Sequence, residues 1–283
     1  MTPSLPPHIS YSQYNSYVRC SRAWYLGKVA AAEERQTWFL PIGTAVHQMV
    51  EDWLNPEIHF NGRDSISAED YFYPLIERQM QVDPDHRNWL KSTASDGVLT
   101  EARALRHVRE CFSKALEFLD EVDVWEVEFD ASGVLPGLSV PIKAYIDIIG
   151  EHKKHGPVIL DWKTGKQKPK DNFQLETYKA LLMQDPRWGG EVAAYVKSWT
   201  GLWAMLHPEA SKARPISLDH VDPAEVGAKY QAVYEKMQAK LYPTKYNKYN
   251  CGMCFQQDNC IMKSGPTKRA RYYDKAAEDG CPF

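Results

Sequence analysis

The run GPVILDWKTG, residues 156–165, constrains the fold more than any other part of the chain. It is a compact apolar stretch that ends abruptly in polar residues, which reads as a strand with chemistry at its end. Its neighbours fit a sheet. VWEVEFD, residues 124–130, alternates with period two, and LPGLSVPIKAYIDIIGE, residues 135–151, reads as a hairpin arm rich in β-branched and aromatic residues. A helix is expected over Asn172 to Met183, and EVAAYVKSW and GLWAMLH (191–199 and 201–207) read as two more strands.

The first 120 residues follow the helical period instead. Ser10 to Leu26 reads as a short helix and Ile42 to Leu54 as another. From Ala68 to Asp120 the pattern is again helical, and Ala104, Leu105, Val108, Cys111, Phe112, Ala115, Leu116 and Leu119 form one apolar stripe. Cys111 belongs to that stripe and reads as core filler. A long helix, about Pro223 to Leu241, leads into a cysteine group. Helices, then strands, a helix, strands and a helix predict an α/β core with a mixed sheet and an N-terminal helical part. No internal repeat and no linker-like composition breaks the chain, so one compact unit is expected over 1–283, with 55–121 as a helical elaboration.

Of the 283 residues, 43% are hydrophobic and 25% charged, which suits a globular core. No apolar run approaches the roughly 18 residues of a membrane span. The start, MTPSLPPHIS, lacks the features of a signal peptide, so the expectation is a reducing cytoplasm with free thiols. The net charge of −3 gives no global footprint for nucleic acid. Lysines cluster locally over 152–170, and the tail from Lys263 to Arg271 is basic. Either cluster suits a local basic groove or a solvated surface.

The strand end carries a pattern of its own. Alternation places Asp161 and Lys163 on one face, and Asp147 lies in the neighbouring apolar strand. Two carboxylates close together attract a hard divalent cation, and a lysine beside them can orient water or stabilise charge on a phosphate. A bare D-x-K also fits an ion pair at a strand end. His47 and Glu51 stand four apart on one helix, and Gln174 and Tyr178 stand four apart on the helix after the D-x-K strand. Each pair alone fits an ordinary amphipathic helix.

Near the C-terminus CGMCFQQDNC places Cys251, Cys254 and Cys260 within ten residues. Tight spacing in a reducing compartment points to metal, and four thiolates suit zinc as well as an iron–sulfur cluster. Cys281 has no evident partner.

The ordered set G-T-x-x-H-x-x-x-E, a strand Asp, LDWKTG and Q-x-x-x-Y resembles the RecB-type branch of the PD-(D/E)xK nuclease superfamily. The opening ISYSQYNSYVRCSRAWYL is similar to the start of its cysteine-bearing members, the AddB nuclease domain and the CRISPR-associated four-cysteine exonucleases. The resemblance runs from about Ser10 to Cys260 and implies a restriction-endonuclease-like core with a C-terminal iron–sulfur segment, residues 242–262 with Cys20. It implies that His47, Asp147, Asp161 and the Trp162 carbonyl hold Mg²⁺ or Mn²⁺, and that Lys163 positions or activates water. Glu51, Gln174 and Tyr178 would support the site or the DNA, and Cys20, Cys251, Cys254 and Cys260 would hold a [4Fe–4S] cluster. Two positions depart from the family pattern: Ser21 follows Cys20 where proline is usual, and Ala144 stands where glycine is frequent.

The function implied is a metal-dependent DNA exonuclease acting on single-stranded or frayed ends, in recombination, repair or CRISPR adaptation. Two alternatives are a non-catalytic DNA-end-binding subunit and a nuclease with structural zinc. No G-x-x-x-x-G-K-[ST] loop is present, so unwinding would need a helicase or recombinase partner.

Overall fold

The structure is a computed structural model that describes residues 5–59, 66–85, 89–90, 100–188, 198–211 and 214–262. The chain divides into two compact units. One comprises Gln36–Ala131 and Tyr145–Val221, and the other comprises Met1–Arg35, Ser132–Ala144 and Asp222–Phe283.

The first of these holds the sheet. In chain order the helices before it are α1 (Tyr11–Arg19) and α2 (Ser21–Lys28), which belong to the second unit, then α3 (Phe39–Leu54), α4 (Pro56–His59), α5 (Ala68–Val82) and α6 (Glu101–Leu119). β1 (Val122–Asp130), β2 (Tyr145–His152), β3 (Gly156–Lys163), α7 (Phe173–Leu182), β4 (Thr200–Met205) and β5 (Ile216–Ser217) follow. The five strands lie in the order β1-β2-β3-β4-β5. All neighbours are antiparallel except β3 and β4, which run parallel and are joined through α7. A parallel pair needs such a crossover, and the sequence places its helical run there. The expected α/β core with a mixed sheet is therefore present. The strand expected over 191–199 falls mostly outside the described residues.

Both faces of the sheet are covered. Val158, Leu160, Trp162, Leu202 and Ala204 pack in one core with Ile42, Ala45, Val46, Met49 and Val50 of α3, Ala68, Phe72 and Ile76 of α5, and the α6 stripe including Cys111. The segment read as a helical elaboration thus shares its core with the sheet. Residues 159, 161 and 163 point to the opposite face by alternation. There α7 packs: a Cβ on Gly201 would lie 3.0 Å from Leu175 Cδ1, so a side chain at 201 would push the helix away. Gly150 permits another close approach, since a Cβ there would collide with the Asp123 carbonyl oxygen on β1.

The second unit joins the two ends of the chain. The single helix expected over Ser10 to Leu26 is two, because Cys20 adopts an extended conformation (φ −162, ψ 101) between α1 and α2. α8 (Pro223–Gln238) starts on Asp222, whose side chain accepts from the Ala224 amide, and ends short of the expected Leu241. α9 (Lys248–Gly252) contains the first cysteine of the C-terminal group. The Tyr17 hydroxyl donates to the Leu241 carbonyl, and Ser21 Oγ donates to the Pro243 carbonyl at 2.9 Å. Tyr25 stacks on Tyr242 with ring centroids 4.6 Å apart. Arg35 Nη1 donates to Gln257 Oε1 at 2.5 Å, and Asn259 Nδ2 donates to the Glu33 carbonyl at 2.7 Å.

Candidate active site

Strand register assembles the site. Ile148 pairs with Leu160, so the next step along both strands sets Asp147 opposite Asp161. On the other side of β2, Val127 pairs with Ile148 and Phe129 with Ile146, which leaves Glu128 opposite Asp147. Three carboxylates therefore form a row across β1, β2 and β3. Like charges directly opposite one another destabilise a sheet unless a cation joins them.

His47 completes the near part of this row. Its Nδ1 lies 3.5 Å from Asp147 Oδ1 and 3.7 Å from Glu128 Oε1. Among the described residues, His47, Glu128 and Asp147 are the one group whose three ligand atoms lie within 4.8 Å of one another. Burial pulls the His47 pKa down, but Asp147, with Glu128 and Asp161 behind it, outweighs this and raises it to about 10. Glu128 sits at φ +46, a left-handed conformation that costs a non-glycine residue energy and is characteristic of functional positions. Sequence reasoning missed Glu128. The alternation of VWEVEFD was the signal, but it offered Glu126 and Glu128 alike, and only the β1–β2 register selects one.

Asp161 is buried at the other end of the row. Its Oδ1 accepts from Gln174 Nε2 at 2.6 Å and from the Tyr178 hydroxyl at 3.2 Å. Its Oδ2 is buried and forms an ion pair with Lys163 Nζ. Burial pushes the Asp161 carboxyl up, Lys163 opposes this, and Asp147 adds to it. A buried carboxylate beside further carboxylates is a donor set that suits a hard divalent cation.

α7 holds this arrangement. Gln174 Oε1 accepts from Lys163 Nζ at 3.2 Å while its Nε2 donates to Asp161 and, at 2.7 Å, to the Tyr178 oxygen. One amide thus fixes both members of the D-x-K pair. Burial, with the Asp161 charge next, raises the Tyr178 pKa well above its usual value, so the phenol stays a neutral donor. The Trp162 amide donates to Asp147 Oδ2 at 2.6 Å, which ties β2 to β3 where the strands splay. Glu51 lies exposed on α3, one turn beyond His47, and partial burial followed by the Glu128 charge raises its carboxyl. The structure thus brings together His47, Asp147, Asp161, Lys163, Gln174 and Tyr178, and leaves Glu51 at the margin.

The cysteines lie in the second unit. Cys20, Cys251, Cys254 and Cys260 line one cavity of about 30 Å³ with Arg19, Lys245 and Met262, and none is in a disulfide. Their thiols do not close into a tight ligand group of the kind His47, Glu128 and Asp147 form. Burial raises the Cys254 and Cys260 thiols, and Cys20 adds to both. Cys281 and the basic tail lie outside the described residues. No helix among the described residues is long and apolar enough to cross a membrane.

Fold and site together define a class, the α/β enzymes that gather carboxylates and a lysine at the end of a mixed sheet to work with a divalent metal. The family comparison narrows the class. Residues 8–260 match the model of the PD-(D/E)XK nuclease superfamily, and the chain belongs to that superfamily. Its members are divalent-metal nucleases, and the His47–Glu128–Asp147 group could hold such an ion. No curated protein gives a significant match to the chain.

Proposed function

We propose that this protein is a Mg²⁺- or Mn²⁺-dependent exonuclease that hydrolyses phosphodiester bonds at single-stranded or frayed DNA ends. The observation that carries the reading is the row of Glu128, Asp147 and buried Asp161 across three strands, with His47, Glu128 and Asp147 offering three ligand atoms within 4.8 Å of one another and Lys163 paired to Asp161. Three neighbouring carboxylates repel one another, and a divalent cation among them would offset that repulsion. His47, Glu128, Asp147 and Asp161 would hold the ion, together with the Trp162 carbonyl. The metal would supply Lewis acidity at the scissile phosphate and charge neutralisation for the attacking water. Lys163, fixed by Gln174, orients that water and stabilises charge on the phosphate oxygens. Tyr178 donates to Asp161 and holds its carboxylate plane. Glu51 supports the margin of the site or the DNA.

The four cysteines support a [4Fe–4S] cluster as a structural element of the second unit. They line one cavity, and none of them is in a disulfide. Cys20, Cys251, Cys254 and Cys260 would hold the cluster, and its binding would couple to folding of this unit. A recombination, repair or CRISPR-adaptation setting, with a helicase or recombinase partner, fits a nuclease that has no motor of its own.

Digestion of end-labelled linear and circular DNA with Mn²⁺ tests the reading. Linear substrate should be degraded, EDTA should stop the reaction, and Asp161→Ala and Lys163→Ala should each lower the rate at least about 10²-fold. Equal cutting by the wild type and both variants would refute the assigned site. Cutting of circles as fast as linear DNA would refute exonuclease action. A colourless anaerobic preparation with stoichiometric zinc would refute the cluster.

A further inference from the structure

A cavity of about 360 Å³ opens beside the D-x-K strand and is used by none of the residues above. Its walls come from four places in the sheet unit: Trp38, the N-cap of α3, with Phe39 and Ile42 of that helix, Arg103, His107 and Glu110 of α6, Thr164 and Gly165 after β3, and His207 to Glu209 after β4. β3 and β4 are the parallel pair, so the cavity lies at the carboxyl ends of parallel strands, where ligands of open α/β sheets bind. Thr164 follows Lys163 in the chain and faces α3, where a Cβ on Gly43 would lie 3.5 Å from Thr164 Oγ1.

The walls are built rather than incidental. His107 Nε2 donates to the Thr164 carbonyl at 3.2 Å, and His207 Nδ1 accepts from the Glu209 amide at 3.0 Å, so both imidazoles carry their proton on Nε2. The two rings meet edge to face with centroids 4.6 Å apart. Lys114 Nζ donates to the His207 carbonyl at 3.0 Å and to the Pro208 carbonyl at 3.3 Å, fixing the loop after β4. Lys166 pairs with Glu209 across the two strand-end loops. The imidazoles do not form a metal site, because among the described residues no third ligand atom closes on them.

We propose that this cavity binds the terminal nucleotide of the DNA strand being cut, a nucleoside monophosphate unit; this rests on the nuclease reading of the neighbouring site. The volume falls in the range of about 300–1,000 Å³ typical of small-ligand pockets, at the end that suits a single nucleotide. Arg103 offers a planar, permanently charged fork for phosphate. Phe39 and Ile42 supply apolar wall for a base, and Glu110 supplies an acceptor for sugar hydroxyl or base amino groups. A pocket of this size at the ends of β3 and β4 gives the enzyme a reason to act at ends: an end nucleotide fills it, whereas an uninterrupted strand does not.

The test separates the pocket from the chemistry. Thymidine 5′-monophosphate is titrated into the full chain in EDTA, where no cutting occurs. Saturable binding is expected, with Arg103→Ala and His107→Gln each weakening it at least about tenfold and inorganic phosphate competing poorly. With Mn²⁺ and end-labelled linear DNA, wild type should release mononucleotides and Arg103→Ala should release longer products. The proposal is overturned if cooperatively folded wild type binds no nucleotide, if Arg103→Ala binds as tightly, or if phosphate alone competes as well as the nucleotide. Wild-type protein that binds nucleotide in EDTA but cuts nothing with Mn²⁺ would sink the nuclease reading and uphold the pocket.

Discussion

Asp147 on β2 faces Asp161 on β3, one step along the register from the pair Ile148–Leu160, and both are buried. Two facing buried carboxylates cannot both hold full charge cheaply. The sheet tolerates them through His47 on one side and Lys163 on the other, and the proposed metal would add a further counter-charge.

Glu128 should matter for metal more than for folding. Saturating Mn²⁺ should raise the wild-type melting temperature, since an ion at 100 times its Kd contributes about 2.7 kcal/mol. Glu128→Gln should lose most of that rise at the same Mn²⁺ concentration while melting no lower than wild type in EDTA. Differential scanning fluorimetry with and without Mn²⁺ reads both quantities.

Gln174 positions Lys163 and Asp161 from a single amide. Gln174→Ala should lower kcat by about 10- to 100-fold with little change in KM, because misplacement of the reacting groups by about 1 Å costs that much. Gln174→Glu should not rescue, since a carboxylate cannot donate to Asp161. Steady-state kinetics on linear DNA decides.

Protons compete with metal at His47. Its pKa is raised to about 10 in the metal-free fold, so its contribution to stability is complete below the ordinary 6.5 and is lost as pH rises through about 10. Between those limits a metal ion must displace the proton to use the imidazole. Mn²⁺ affinity should therefore rise with pH across 7 to 9, with proton release that His47→Gln abolishes. Calorimetry in two buffers of different ionisation enthalpy measures the proton count.

Gly150→Ala should destabilise the sheet unit. The added methyl collides with the Asp123 backbone, next to the β1 irregularity between Val124 and Glu126, and neither strand can yield without breaking pairs. A loss of about 1–3 kcal/mol is expected, as for overpacked cores. Urea denaturation gives the value; an unchanged midpoint would show that β1 shifts freely.

Cys254→Ser should lower iron content and melting temperature while leaving the cutting rate per folded molecule near wild type. The sheet unit holds the reacting residues and the cysteines lie in the other. Iron analysis, melting curves and active-site titration together test this. Equal melting temperatures would count against a stapling role.

Much of the site could be read along the chain. The D-x-K pair needs only the two-residue period of a strand, and Gln174 with Tyr178 needs only the turn of a helix. His47 and Cys111 fell out of the same local periodicity, one on a polar edge and one in an apolar stripe. What resisted reading were features that depend on how distant segments meet. Glu128 could not be separated from Glu126 without the register of β1 on β2. The break at Cys20 could not be seen either, since α1 and α2 continue one helical pattern across it.

The amino-acid sequence by itself determined the class of fold, the strand that ends in Asp161 and Lys163, and the helix that follows, because periodicity is a property of neighbouring residues. Only the tertiary structure decided that Glu128, Asp147 and Asp161 form one row, that Asp161 is buried against Lys163, and that a cavity opens at the ends of β3 and β4. Those are consequences of strand pairing and of burial, which are set by the packing of segments far apart in the chain.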